Sequence, residues 1–190
     1  MSTLSVGDLQ GLAVNSNVVT VPTGHKLEVT DAGGLTAPGH ILQVVQTVKT
    51  DTSSFAHNTL TTVLSVTITP SSATSKVLLL AHLTVSATSA NMWAIFAGGN
   101  ADDYVGDAAG ARPRNATQLL QVTPAAGGAQ SAPIIYLDSP ATTSATTYNV
   151  NLLVPSGGSE TGYVNRSPDD SDNAFRGRFA SSLTALEVSA

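Results

Sequence analysis

The chain has 190 residues, 42% of them hydrophobic and only 11% charged, with a net charge of −5 and no cysteine. A chain of this kind buries enough apolar surface for a folded domain and is not a disordered segment, while the missing cysteine excludes disulfides, thiol catalysis and cysteine-based zinc sites. Its eight Lys and Arg are scattered, which excludes the basic stripe that nucleic-acid binding requires.

Ser and Thr make up roughly a quarter of the sequence. A surface built from Thr, Ser, Gly and Ala is unusual for a free cytosolic monomer, which carries mixed charges. It predicts either cover by partner subunits or membership of a rigid extracellular particle. Residues 1–16 lack the basic and apolar regions of a signal peptide, and the apolar run Val77-Leu-Leu-Leu-Ala81 is far short of a membrane span. A virion component assembled in the bacterial cytoplasm and released by lysis fits this combination, and so does a cytosolic oligomer.

In chain order, residues 1–38 carry two short strand candidates, Asn17–Pro22 and Lys26–Thr30, among many turn formers and few large apolar side chains. They cannot make a core alone, so they read as an N-terminal arm that docks on another subunit, or else as a pair of edge strands. Residues 39–190 then form the globular domain. Residues 41–48 and 76–86 are apolar on both faces over part of their length, the pattern of central strands or of strands buried by a neighbouring subunit. In residues 60–68 the side chains of Leu60, Thr62, Leu64, Val66 and Ile68 share one face. In residues 147–154 those of Tyr148, Val150, Leu152 and Val154 do the same, as expected of half-buried antiparallel strands. Shorter candidates are Met92–Ala97, Gln118–Thr123, Ala132–Asp138 and Arg178–Val188. Turn formers separate them, among them Pro22-Thr-Gly24, Pro70-Ser-Ser72, Gly98-Gly-Asn100 and Ser167-Pro-Asp-Asp170. About ten short strands at this spacing, with no amphipathic helix, predict an all-β fold: a β-sandwich, jelly-roll-like, preceded by an extended arm.

Chemistry is hard to find. None of His25, His40, His57 and His82 lies in a metal-ligand spacing. His82 interrupts an apolar strand on the face of Leu78 and Leu80, where it reads as a core or interface histidine; the sharper alternative is a ring of three such histidines on a threefold axis holding an ion. No nucleophile elbow occurs among the serines, and no pair of carboxylates stands out as a glycosidase would need. Asp138 opens the turn Asp138-Ser-Pro-Ala141, where its side chain is expected to cap the backbone. Two acidic stretches, residues 100–107 and 169–173, resemble loops that offer oxygens to calcium. The alternative is solvated loops with arginines nearby: Arg112 and Arg114 after the first, Arg176 and Arg178 after the second. Asn115-Ala-Thr117 and Asn165-Arg-Ser167 match the glycosylation pattern, which carries no meaning without a signal peptide. Trp93 and Phe96 are expected in the core, leaving Tyr104, Tyr163 and Phe175 as candidates for ligand contact. Catalytic residues, cofactors and metal ligands are therefore all expected to be none.

Four stretches carry a resemblance to a known group. They are Met1-Ser-Thr-Leu-Ser-Val-Gly7; Val21-Pro-Thr-Gly-His-Lys-Leu27 with Ala37-Pro-Gly-His-Ile-Leu-Gln-Val44; Ile68-Thr-Pro-Ser-Ser-Ala-Thr-Ser-Lys-Val-Leu78; and Tyr136-Leu-Asp-Ser-Pro-Ala-Thr-Thr-Ser-Ala-Thr-Thr-Tyr148 with Tyr163-Val-Asn-Arg-Ser167 and Ala185-Leu-Glu-Val-Ser-Ala190. Together they resemble short virion structural or tail-fibre proteins of tailed phages, especially phages of aquatic bacteria. The resemblance implies a virion surface protein with no active site. The low charge adds the expectation of a homotrimer, since closed symmetry makes burial of such a surface self-limiting. Three functions then compete: a fibre or fibre tip facing the host surface and its glycans, anchored to other virion proteins by residues 1–38; a capsid decoration or cement protein; and a carbohydrate-binding module or hydrolase. Nucleic acid and membrane insertion are not expected partners.

Overall fold

An extended backbone leaves its N–H and C=O groups unpaired until another strand lies alongside. In the computed structural model, which describes residues 21–29, 35, 37–88, 91–119, 128–155 and 158–190, ten strands are paired in this way. They are β1 (Ile41–Lys49), β2 (Ser53–Ala56), β3 (Thr61–Ile68), β4 (Lys76–Ala87), β5 (Met92–Ala97), β6 (Thr117–Leu119), β7 (Gln130–Asp138), β8 (Thr146–Leu153), β9 (Thr161–Val164) and β10 (Ser181–Val188). All pairings between these strands are antiparallel. The one helical element among the described residues is a 3-10 turn at Ala101–Asp103. The protein is all-β.

The chain divides into two compact units, Met1–Leu35 and Thr36–Ala190. In the first, His25 N–H donates to the Pro22 carbonyl at 3.0 Å, and Gly24 takes the positive φ of 85° that closes this turn. The strand expected at Lys26–Thr30 is not formed over the described residues 26–29, which are exposed and bond to no strand; alternation without a partner does not make one. The candidate at Asn17–Pro22 lies, except for Val21 and Pro22, outside the described residues.

The second unit holds two sheets: six strands in the order β1-β10-β4-β9-β2, with β7 also on β4, and four in the order β3-β8-β5-β6. The first is simpler than its strand count. β10 and β9 lie end to end on one side of β4, pairing with Lys76–His82 and with Val85–Ala87. β1 and β2 lie end to end outside them, and β7 takes the other side of β4. Treating β1/β2 and β9/β10 as single lanes gives eight lanes in chain order, arranged 1-8-3-6 in the first sheet and 2-7-4-5 in the second. β4 is thus central, as its two apolar faces predict. β1 is not: among the described residues it pairs with β10 alone, as an edge strand, so of the two readings of 41–48, central or buried by a neighbouring subunit, the central one is corrected. β2 and β9, four residues each, have too little alternation to stand out in the sequence. The candidate Gln118–Thr123 is reduced to Thr117–Leu119, residues 120–123 lying outside the described part.

Alternation places the core between the sheets. Val77, Leu79, Ala81, Leu83 and Val85 of β4 face Leu64, Val66 and Ile68 of β3 and the run Tyr148, Val150, Leu152 of β8, all buried. The expected face of 60–68 holds from Leu64 onward. Between Thr62 and Leu64 the register slips, and the bulge turns Thr62 outward and leaves Leu60 exposed. Phe96 is in the core; Trp93 is not, because it sits at the alternate position of β5 and is only half-buried.

Polar groups fix the ends of the lanes. Asn165 lies where β9 leaves the shared lane, fully buried and at φ 61°, a conformation asparagine tolerates better than most residues. Its N–H donates to the Thr84 carbonyl (2.8 Å) and its carbonyl accepts from Phe179 N–H (3.0 Å). Its amide nitrogen donates to the carbonyls of Lys49 and Asp51, and its amide oxygen accepts from the Ser181 hydroxyl at 2.7 Å. One residue therefore holds, through its side chain, the break between β1 and β2 and the entry of β10 and, through its backbone, the exit of β9. Glu187, also buried, accepts from Gln43 on β1 and from the N–H and hydroxyl of Ser71 in the β3–β4 turn, at 2.6–2.7 Å.

Asn165→Ala removes the donor from the part-buried carbonyls of Lys49 and Asp51 and the acceptor from the buried Ser181 hydroxyl, and is expected to lower the unfolding free energy by about 1–3 kcal/mol in urea denaturation. For Glu187, burial opposes ionisation, but the hydrogen bonds from Gln43 and Ser71 outweigh it and hold its carboxyl below the usual range. A folded-state pKa below the unfolded one stabilises fully above the unfolded value and ceases to do so as pH falls through the folded value. The urea midpoint is therefore expected to fall as the pH drops below the ordinary glutamate value of 4.5, and less steeply in Glu187→Gln.

Candidate functional site

Each sheet has one face on the core and one outer face, and the two outer faces differ. On the second sheet β5 places half-buried Trp93 and Ile95 on the outer side, while the facing outer positions of β3 and β8 are polar and bonded across strands: Thr62 to Asn151 (2.7 Å), Ser65 to Asn149 (2.6 Å) and Thr67 to Thr147 (2.8 Å). The β3–β8 part has the composition of a solvated face.

The first sheet reverses it. Registration places Val44, Leu186, Leu78 and Leu137 in one row across four lanes, then Gln46, Thr184, Leu80 and Ile135, then Val48, Ser182, His82 and Pro133. Val44 is 58% exposed, Val48 55%, Ile135 57% and Leu137 47%; Leu78, Leu80 and Leu186 are half-buried. No Lys, Arg, Asp or Glu stands in these rows. At lane and residue spacings of about 4.8 and 3.4 Å the three rows cover roughly 400 Å² in projection; eight of the twelve positions are apolar, the others being Gln46, Thr184, Ser182 and His82, and apolar patches of a few hundred Å² are often functional.

Further along the same face of β4 stand Thr84 and Ser86, each 8% exposed. The 165–180 connection covers them: the Ser86 hydroxyl donates to the Arg166 carbonyl at 2.8 Å, and that of Thr84 to the Ala180 carbonyl at 3.4 Å. Among the described residues, the chain thus covers Thr84 and Ser86 on this face with its own loop and leaves the apolar end open.

The residues singled out in the sequence fall in several places. His82 is on the open face, beside Leu78 and Leu80 as expected, but it is exposed rather than in the core. Its Nε2 lies 2.6 Å from the Ser131 hydroxyl on β7. That pair lacks what a catalytic serine needs: among the described residues no carboxylate bonds to the ring to orient it. His25 is in the first unit, His40 precedes β1, and His57 follows β2, with Nδ1 at 3.1 Å from Asn58. Asp138 does not cap its own turn. It is fully buried, accepts from the Tyr148 hydroxyl at 2.6 Å and from Asn100 N–H at 3.2 Å, and so ties β7 to β8 and to the turn after β5. Burial first, and then this carboxylate, push the Tyr148 phenol far above its ordinary range. Gly98 and Gly99, both at positive φ, let that turn approach where a Cβ has no room against Thr147 and Tyr148.

The acidic stretches are committed in part. Asp102 accepts from Gly98 N–H, and Arg114 bonds the Gly106 carbonyl rather than an acid. In the second stretch Arg176 holds Asp169 at 2.8 Å, and Asp170 pairs with Arg166 (2.6 Å) and Arg178. The Ser171 N–H with Arg176, and Arg178 with Arg166, respectively hold Asp169 and Asp170 below the usual carboxylate range. Among the described residues no cluster of three or more His, Asp or Glu is placed to hold a metal ion. Of the aromatic candidates, Tyr104 stacks on Tyr136 (4.7 Å) and Tyr163 lies under the Arg166 guanidinium (4.2 Å). Phe175 is 82% exposed at the tip of the 165–180 loop. Asn115 is half-buried, and Asn165 of the second glycosylation pattern is the buried joint described above.

Comparison with protein-family models and with curated proteins finds no match to the chain. No helix among the described residues is long and apolar enough to cross a membrane. Two adjacent residues on β7 test which side of the first sheet is open. Ile134 (3% exposed) faces the core and Ile135 the open side. Ile134→Ser is expected to cost about 3 kcal/mol or more, and Ile135→Ser less than about 1 kcal/mol of subunit stability, read by urea denaturation of dilute protein.

Proposed function

We propose that this chain is a non-enzymatic structural protein of a tailed-phage virion: a trimeric surface appendage, a tail fibre or fibre tip, held to other virion proteins by residues 1–38. The observation that carries the reading is the open apolar end of the first sheet. A subunit that covers Thr84 and Ser86 and exposes Val44, Ile135 and Leu137 on the same sheet face is suited to assembly. A largely apolar sheet face is a good place for packing, and among the described residues none orients a nucleophile on it.

The lane order 1-8-3-6 over 2-7-4-5 supports the jelly-roll reading, since eight antiparallel lanes in two Greek keys define that architecture, which serves both viral capsid and lectin domains. Fold alone does not select among those uses. The motif resemblance selects the virion, with assembly in the host cytoplasm and a place on the virion surface. The polar ladder of the second sheet suits an outward, solvated side, where loop residues contact host-surface glycans.

Mass spectrometry and electron microscopy of purified particles test the reading. A few copies at the tail are expected. Hundreds of copies on the head transfer the chain to capsid decoration. Absence from particles, with glycan binding by the isolated protein, replaces both with a carbohydrate-binding module.

A further inference from the structure

The open face has borders as well as a centre. Beyond the row of Leu78 stands Lys76, exposed, paired across β10 with Val188 and bonded only to the Ser139 hydroxyl at 2.8 Å. No carboxylate among the described residues pairs with it. The face therefore presents an apolar field with one unneutralised cation at its edge.

The 165–180 loop presents the complement. Phe175 is the most exposed large apolar side chain described, at 82%. It is not on a loose tether. The loop is braced by the Arg176–Asp169 and Arg166–Asp170 pairs and by an antiparallel bridge between Arg166 and Arg178. At its tip, Phe175 N–H is bonded to the Asn173 side chain at 2.9 Å. A braced aromatic of this kind loses little freedom on docking, which is what makes aromatic anchors effective at interfaces. Three residues before it stands Asp172, exposed, while the loop's three arginines are spent on Asp169 and Asp170. Loop and face thus match: an unpaired acid beside a bare aromatic, and an unpaired base beside bare aliphatics.

We propose that the 165–180 loop of one copy docks on the open face of the first sheet of the next, with Phe175 on the field of Leu78, Leu80 and Ile135 and Asp172 against Lys76. The contact is heterologous: loop and face are different patches of the same chain. Repetition around an axis then closes a ring, and three copies give the trimer. The inference rests on the self-assembly part of the reading above and does not depend on where the assembly is used.

Light scattering after size exclusion, on the full chain at micromolar concentration, provides the test. The wild type is expected to run at the mass of three 19.3 kDa chains. Phe175→Ser is expected to weaken association by about 30-fold or more with an unchanged circular-dichroism spectrum and unfolding midpoint in dilute solution. Lys76→Glu and Asp172→Lys are each expected to weaken it by about tenfold at low salt, and the double exchange to restore most of the loss; rescue by charge exchange is not open to a variant that merely misfolds. An oligomer insensitive to Phe175→Ser but broken by Ile135→Asp overturns the loop as occupant, the face then being paired with a copy of itself. An oligomer insensitive to both overturns the face. A monomeric wild type overturns the inference together with the assembly reading, whereas an oligomer missing from phage particles overturns only the virion assignment.

Discussion

One lane of the first sheet is filled by two segments of chain, and the fold depends on how the joint between them is held. β9 and β10 meet end to end beside β4, with an excursion of sixteen residues, 165–180, leaving and returning at the same point. A gap in a lane exposes backbone donors and acceptors that have nothing to pair with. Asn165 resolves this by standing in for the missing backbone: it bonds to Lys49 and Asp51 where the outer lane also breaks, to Thr84 on the central strand and to Ser181 where the lane resumes. Asn165 is itself buried, and its bond to Ser181 is shielded from water, so that partner is costly to lose. The loop that rises from this joint carries Phe175 and covers Thr84 and Ser86, so the surface chemistry of the first sheet follows from the same constraint.

Two other buried polar sites act on register. Glu187 ties β10 to β1 and to the β3–β4 turn, and Asp138 ties β7 to β8 and to the turn after β5. A slip of one residue in β10 or β7 brings the carboxylate to the outer face and the outer residues to the core. Buried ionic groups are weak sources of net stability. Here their partners come from different strands, so they distinguish one lane arrangement from its neighbours.

The contrast between the outer faces is what turns a fold into a functional proposal. The second sheet satisfies the Thr, Ser and Asn positions shared by β3 and β8 with cross-strand bonds. The first sheet holds Leu, Ile and Val at the same kind of position. Water is a poor neighbour for such a surface, and the 165–180 loop bonds only Thr84 and Ser86 on this face of β4.

Much of this was legible in the sequence, and the boundary has a physical cause. Alternation is local, so the strands at 61–68, 76–87, 92–97 and 146–153 and their inward residues could be read directly, as could the all-β class. The bulge at Thr62, the edge position of β1 and the short strands β2 and β9 could not, because each depends on a partner distant in the chain. The same holds for the site. The sequence by itself determined that residues 41–48 and 76–86 are apolar on both faces, and that Phe175 sits among polar loop residues. Only the tertiary structure decided that β1, β10, β4 and β7 lie side by side, that their outer apolar positions fall into register, and that the loop bearing Phe175 leaves them bare. Which residues are covered is set by which lanes are neighbours, and that is a property of the assembled sheet rather than of any one strand.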